Sequence, residues 1–148
     1  MVALRIFWLH EHGDNPVIVQ TESELRDALD EFARFSQAAP MLAQVSPDVD
    51  KPLTALTVGM HGARGVLYYA GADSADGVYS KGDGPEDGQE LLYYYMDSDT
   101  PFPANSEIPA EAVRTAAQEF MSAGQCPSVV QWQPRPVPTG PDESQWPM

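Results

Sequence analysis

Only two segments of this chain have the residue spacing of an amphipathic helix, and a long series of short, strand-like segments separates them. The first helical segment opens at Thr21, with Glu24 three positions later, which is the pattern of a capping box. Apolar residues then recur at helical spacing over 25–35, with charged residues between them. The helix is expected to end before Pro40, because the residue preceding a proline is disfavoured in helical geometry.

The second helical segment follows Pro109. We place this proline at the first helical position, Glu111 at the third, where a carboxylate suits the positive end of the helix dipole, and Gly124 just beyond the end. One stripe of the segment is apolar and predicts a face packed on a core. The residues of that stripe are Val113, Ala116, Ala117, Phe120 and Met121.

The rest of the chain is rich in β-branched and aromatic segments bounded by turn residues, which predicts strands. A turn is expected over 73–77 and an irregular stretch over 97–107. Strands and helices do not alternate strictly, so a doubly wound parallel sheet is disfavoured. We predict an α+β fold, a mainly antiparallel sheet with both amphipathic helices packed on one face. The predicted strands are 2–9, 16–20, 41–45, 53–60, 66–70, 78–80, 90–96 and 129–132.

The length of 148 residues fits a single domain, which we place at 1–133. Five prolines in the last fifteen residues predict an extended tail over 134–148. A single cysteine, Cys126, cannot form an internal disulfide, and we expect it to be a small packed residue. The sequence shows neither a signal-peptide pattern nor a long apolar run, so a cytoplasmic location is expected.

Charge restricts the classes of partner. The chain has 22 acidic and 8 basic residues, a formal net charge of −14. Nucleic-acid binding is disfavoured, because affinity for phosphates depends on Lys and Arg, and an anionic membrane is disfavoured by the same sign. The charge favours a cationic protein partner, or it serves only as a device for solubility. The sequence leaves the oligomeric state open.

The acidic bias is strongest between Asp73 and Glu111, where ten acids accompany Lys81 alone. The spacing after Asp83 does not fit a calcium-binding EF-hand loop, because Tyr94 stands where the bidentate glutamate belongs. The acids form either a solvated rim or a surface that docks into a basic cleft. Our candidate contact residues, chosen from charge placement, are Asp83, Glu86, Asp87, Glu90, Asp97 and Asp99.

Two runs of tyrosine, 68–69 and 93–95, favour the docking interpretation. Adjacent strand residues point to opposite faces, so one ring of each pair faces away from a single core unless both faces of the sheet are covered. Tyrosines beside carboxylates are typical of protein-binding surfaces.

Catalytic signatures are scarce. We find no G-x-S-x-G elbow, P-loop, dinucleotide fingerprint or H-E-x-x-H motif. His10 and His12, two positions apart, would share one face of a strand and could bind a metal together with Glu11 or Asp14. A small metal-dependent hydrolase is therefore one alternative function, and a generic protein-binding adaptor is another.

Several motifs follow one another in a characteristic order. They are a tyrosine-rich strand, a Thr-Pro-Phe-Pro segment at 100–103, Ile-Pro at 108–109, an amphipathic helix ending near Gly124, and Val-Gln-Trp at 130–132. This order resembles the first-numbered immunity-protein family of bacterial polymorphic toxin systems. The likeness covers about residues 16–133. The residues that match it are Phe102, Pro103, Pro109 and Trp132. We interpret Phe102 and Pro103 as a loop anchor, Pro109 as a helix start and Trp132 as a core ring.

This resemblance implies a protein that is not an enzyme and needs no cofactor. It implies binding and neutralisation of a cognate toxin, often of the nucleic-acid deaminase type, and supplies no catalytic residues. A deaminase that acts on nucleic acid needs a basic groove, which an acidic domain can occupy. Whether the proline-rich tail joins such an interface is left open.

Overall fold

A computed structural model describes residues 2–71, 74–84, 88–95 and 98–134, without the side chains of residues 10 and 74–76. The described residues form two α-helices, α1 (Glu22–Phe35) and α2 (Ala110–Ala123), and a short 3₁₀ helix at His10–Gly13. The strands are β1 (Leu4–Phe7), β2 (Val17–Val19), β3 (Met41–Pro47), β4 (Thr54–His61), β5 (Arg64–Gly71), β6 (Ser74–Lys81), β7 (Leu91–Tyr95), β8 (Ser98–Phe102), β9 (Ile108–Pro109) and β10 (Gln131–Pro134).

The strands form one sheet whose main order is β10-β6-β5-β4-β3-β1-β2. Its centre, β3 to β6, is an antiparallel meander, as expected for strands joined by short turns. The pairing of β3 with β7 is parallel and joins Met41 to Tyr94. Both helices pack on one face of the sheet. The predicted α+β class, with a mainly antiparallel sheet and two helices on one face, is confirmed.

Local capping explains where the helices begin and end. Thr21 accepts a hydrogen bond from the backbone N–H of Glu24, as the capping box predicts. Pro109 caps α2 from outside the helix, so its placement at the first helical position was wrong by one residue. Gly124 ends α2 with a φ of 68°, a left-handed conformation that glycine adopts without the steric cost of a Cβ.

The main core lies between the sheet and the two helices. It includes Leu29 and Phe32 of α1, Phe120 of α2 and Tyr69 of β5, each at most 2% exposed. Each helix buries the apolar stripe predicted for it, except that Phe35, at the end of α1, is exposed. An ion pair of 2.8 Å between Arg114 of α2 and Asp30 of α1 links the helices at their partly exposed sides.

A second, smaller core lies on the opposite face of the sheet, which we call the second face. It is built from Leu42 and Val66 of the sheet and from Tyr93 and Phe102 of β7 and β8. These two strands pair antiparallel as a hairpin, which we call the β7–β8 hairpin. The irregular stretch predicted over 97–107 was therefore wrong at 98–102, because pairing with β7 organises this segment as a strand.

Gly59 lets the hairpin lie close to the sheet. A Cβ at this position would lie 2.6 Å from Val66 Cγ2 and 2.9 Å from a ring carbon of Tyr93. Such distances are far shorter than carbon–carbon contact. The absence of a side chain at Gly59 thus creates the seat for the ring of Tyr93.

Three further expectations are corrected. The turn predicted over 73–77 was wrong, because β6 already begins at Ser74. Residues 10–13 form a 3₁₀ helix, so His10 and His12 do not lie on a strand. Pro134, assigned to the tail, is the last residue of β10 and pairs with Val78, while residues 135–148 lie outside the described residues.

Candidate functional site

A row of polar and aromatic residues crosses the second face. Gln44 of β3 pairs with Thr57 of β4, Thr57 pairs with Tyr68 of β5, and Tyr68 pairs with Tyr79 of β6. Residues directly opposite each other on neighbouring strands project to the same face of a sheet. The four side chains therefore form one continuous line, which we call the transverse row.

The β7–β8 hairpin covers one side of the transverse row and leaves a groove beside it. This groove has a volume of about 210 Å³, and we call it the tyrosine groove. Thr57 Oγ1 donates a 3.2 Å hydrogen bond to Gln44 Oε1 in the groove, and the rings of Tyr68 and Tyr79 lie 4.9 Å apart. The lining residues within the described part of the chain, none of which is charged, are Leu42, Gln44, Thr57, Tyr68, Tyr79, Tyr95, Thr100 and Phe102.

Tyr93 anchors the hairpin to the rest of the fold. Its side chain is 1% exposed, and its ring packs edge-on against Phe102. Its Oη donates a 2.9 Å hydrogen bond to Glu107 Oε2. Burial raises the pKa of Tyr93, and the hydrogen bond to Glu107 and the charge of that carboxylate raise it further, while Arg64 lowers it. Burial also raises the pKa of Tyr95.

The outer side of the hairpin is an exposed patch of mixed chemistry. Leu92 is 46% exposed and Tyr94 is 38% exposed. Leu92 pairs with Pro101 and Tyr94 pairs with Asp99, and both partners are also exposed. Apolar groups of this size next to a carboxylate are characteristic of protein-binding surfaces rather than of a folded interior.

The structure locates three of the six predicted acidic contact residues. Asp83, Glu90 and Asp99 are all exposed. Asp83 follows β6, where Gly82 N–H donates to Asn105 O at 2.6 Å. Glu90 immediately precedes β7 at the base of the hairpin, whereas Asp99 lies in β8 toward its other end. The other three, Glu86, Asp87 and Asp97, lie outside the described residues.

The four motif residues are structural in their surroundings. Phe102 is 1% exposed and belongs to β8, so it anchors a strand and not a loop. Pro103 is buried, and its carbonyl accepts hydrogen bonds from Ser106 N and Oγ. Pro109 caps α2, as described above. Trp132 packs half-buried at the edge of the main core, and its Nε1 donates to Pro127 O at 2.7 Å.

His12, one half of the possible metal pair, is engaged with the backbone. It is 8% exposed, and its Nδ1 accepts hydrogen bonds from the N–H groups of Trp8 (3.0 Å) and Leu9 (3.1 Å). In a neutral imidazole that accepts at Nδ1, the hydrogen is on Nε2, so neither nitrogen has a lone pair available to a metal. Across the described ranges, no group of three or more His, Cys, Asp or Glu side chains is placed to hold a metal ion.

Sequence reasoning missed Gln44, Thr57 and Tyr79 as neighbours in one groove. The alternation along their strands could have placed each on the second face. Only the register of the strands places these three side chains next to one another, and register depends on pairing between distant segments. Glu107, counted among the acids of the rim, was also missed as the acceptor for Tyr93.

Comparisons with known proteins agree with the motif order. The model of one family, described as Immunity protein Imm1, matches residues 13–134. A comparison with curated proteins found no match. Neither α-helix of the described chain is long and apolar enough to span a membrane. The resemblance inferred over residues 16–133 is confirmed. The chain thus belongs to the Imm1 family of immunity proteins, and its partner is a protein toxin.

Proposed function

We propose that this protein neutralises its cognate toxin by binding the toxin's effector domain, which is of the nucleic-acid deaminase type. The binding surface is the outer side of the β7–β8 hairpin together with the acidic residues beside it. The observation that carries the proposal is the surface chemistry of the hairpin. Exposed Leu92 and Tyr94 are accompanied by the exposed carboxylates of Glu90 and Asp99. Apolar and aromatic groups supply contact area, and the carboxylates supply charge complementarity to a basic partner.

Electrostatics supports a deaminase-type partner. An enzyme that acts on nucleic acid presents a basic groove to the phosphates. A chain with a net charge of −14 is attracted to such a groove, and long-range attraction accelerates the encounter. In this proposal the protein acts by occupying the groove in the cytoplasm and transforms nothing itself.

The six acids proposed as contacts are Asp83, Glu86, Asp87, Glu90, Asp97 and Asp99. The exposure of Asp83, Glu90 and Asp99 in the structure supports their inclusion. Glu86, Asp87 and Asp97 are included from their positions in the sequence alone.

The first experiment asks whether a toxin partner exists. The protein encoded by the adjacent gene is expressed in cells with and without this chain. The proposal expects killing only when the chain is absent. If the chain gives no protection and its purified form does not bind the effector domain, the proposal is wrong.

The second experiment tests the location of the interface by calorimetry. Five acids are neutralised together (Asp83→Asn, Glu86→Gln, Asp87→Asn, Asp97→Asn and Asp99→Asn). The control neutralises five exposed acids before or on α1 (Glu11→Gln, Asp14→Asn, Glu22→Gln, Asp27→Asn and Glu31→Gln). Each set changes the net charge from −14 to −14 + 5 = −9. The first set should weaken binding and flatten its salt dependence much more than the control. Equal effects would place the interface elsewhere.

A further inference from the structure

The tyrosine groove differs from the rest of the second face because it is aromatic and polar, and because the lining residues that the structure describes are uncharged. Leu42 and Phe102 form its buried floor, while Tyr68, Tyr79 and Tyr95 are half-buried around it. It lies between the sheet and the inner side of the hairpin whose outer side carries Tyr94 and Asp99. It is therefore continuous with the surface proposed above to contact the toxin.

We propose that the tyrosine groove receives an arginine side chain of the toxin. This inference rests on the proposed function. The faces of aromatic rings carry negative potential and attract a cation, most favourably a planar guanidinium that can stack on them. Three half-buried tyrosine rings around one groove provide such faces.

Hydrogen bonding favours arginine over an apolar occupant. Gln44 Oε1 accepts one hydrogen bond, from Thr57, and a carbonyl oxygen can accept a second. Thr100, which also carries a hydroxyl group, lies on the other wall of the groove. An apolar side chain would remove water from these polar groups without replacing its hydrogen bonds, which is unfavourable. A guanidinium donates in several directions at once and can satisfy them.

The charge of the whole chain points the same way. Of the described residues that line the groove, none carries a charge that could repel a cation, and the protein carries fourteen net negative charges. A basic partner offers many arginines. The groove would bind one of these arginines specifically, whereas the surrounding acids supply only long-range attraction.

The test uses two substitutions of Gln44 with opposite expected signs. Gln44→Glu keeps the shape and the acceptor for Thr57 Oγ1 and adds a negative charge in the groove. Gln44→Met keeps the length but removes the acceptor. We expect Gln44→Glu to tighten binding of the neighbouring gene's effector domain about fivefold and Gln44→Met to weaken it about fivefold.

Gln37→Glu is the matched control, because it adds the same charge at an exposed position two residues after α1. It should change the affinity much less than Gln44→Glu. Thermal unfolding of every variant checks that the fold is intact. If Gln44→Glu does not fold, Thr100→Asp places the charge on the half-buried β8 wall of the groove instead.

The outcomes separate this inference from the proposed function. If the wild-type chain does not bind the effector domain, the proposed function fails. If it binds but Gln44→Glu weakens binding while Gln44→Met strengthens it, an apolar group occupies the groove and the arginine proposal is wrong. If neither variant changes the affinity, the groove lies outside the interface and the proposal is also wrong.

Discussion

The phenol of Tyr93 donates a 2.9 Å hydrogen bond to the carboxylate of Glu107, and this bond joins the inner side of the β7–β8 hairpin to the segment that leads into α2. The two residues are fourteen positions apart. The bond therefore helps to hold the hairpin, which borders the tyrosine groove, on the second face.

Removal of the hydroxyl should destabilise the protein. We expect Tyr93→Phe to lower the free energy of unfolding by about 0.5–1.5 kcal/mol, the usual net value of one intramolecular hydrogen bond. Tyr94→Phe, at the exposed neighbouring position, is the matched control and should change it by less than about 0.5 kcal/mol. Urea denaturation measures both. Equal effects would show that the bond to Glu107 contributes nothing to stability.

The same pair predicts a dependence on alkaline pH. The pKa of Tyr93 is raised in the folded protein, chiefly by burial, so the unfolded chain loses the phenolic proton first. The stability that protonated Tyr93 contributes is complete below pH 10, the ordinary pKa of a tyrosine, and is lost as the pH rises further. By pH 11 the wild type should have lost stability relative to Tyr93→Phe, by at most about 1.4 kcal/mol. A constant difference between the two proteins from pH 8 to pH 11 would contradict this expectation.

Gly59 should tolerate no side chain. Gly59→Ala places a Cβ 2.6 Å from Val66 Cγ2 and 2.9 Å from the ring of Tyr93, so the hairpin must shift. We expect a loss of about 1–3 kcal/mol of stability, as is typical of overpacking. Gly13→Ala is the control, because no atom lies within 4 Å of the added methyl group. Thermal unfolding should distinguish the two variants, and similar melting temperatures would refute the close packing of hairpin and sheet.

His12 should be important for folding. His12→Leu leaves the backbone N–H groups of Trp8 and Leu9 without their acceptor and should cost about 1–3 kcal/mol. His61→Leu, at an exposed position, should be nearly neutral. Denaturation measures the loss, and elemental analysis of the wild type tests the metal alternative. Stoichiometric zinc that disappears in His12→Leu would revive the hydrolase interpretation.

The two lysines of the chain test where the toxin approaches. Lys81 ends β6 beside the proposed interface, whereas Lys51 lies in the turn between β3 and β4, and both are exposed. Removing a positive charge near a basic partner should accelerate association. We expect Lys81→Gln to raise the association rate about twofold at low salt, and Lys51→Gln to have a smaller effect. Stopped-flow or surface-binding kinetics measure both rates. A larger effect from Lys51→Gln would move the interface to the other end of the sheet.

The sequence predicted the features that depend on neighbouring residues. The start of α1 and the end of α2 follow from Thr21 and Gly124, which cap locally, and the meander follows from strands joined by short turns. Strand β8 was missed because Asp, Ser and Pro are individually unfavourable in strands, while its pairing with β7 outweighs that preference.

The candidate site depends on contacts between distant segments. Three of the proposed acidic contacts are exposed as expected, but exposure alone does not identify an interface. The transverse row needs the register of four strands, and the pairing of Tyr93 with Glu107 needs the hairpin to fold back. Neither relationship is written in the spacing of nearby residues.

The outermost strands carry a consequence for aggregation. Pro16 directly precedes β2, Pro101 lies within β8 and Pro134 ends β10, each at a margin of the hydrogen-bonded network. A proline has no N–H to offer to an incoming strand, and a short border strand is a poor template for one. The molecule should therefore resist fibril-like stacking at high concentration. Another polypeptide should bind to the face of the sheet more readily than it pairs with an edge strand.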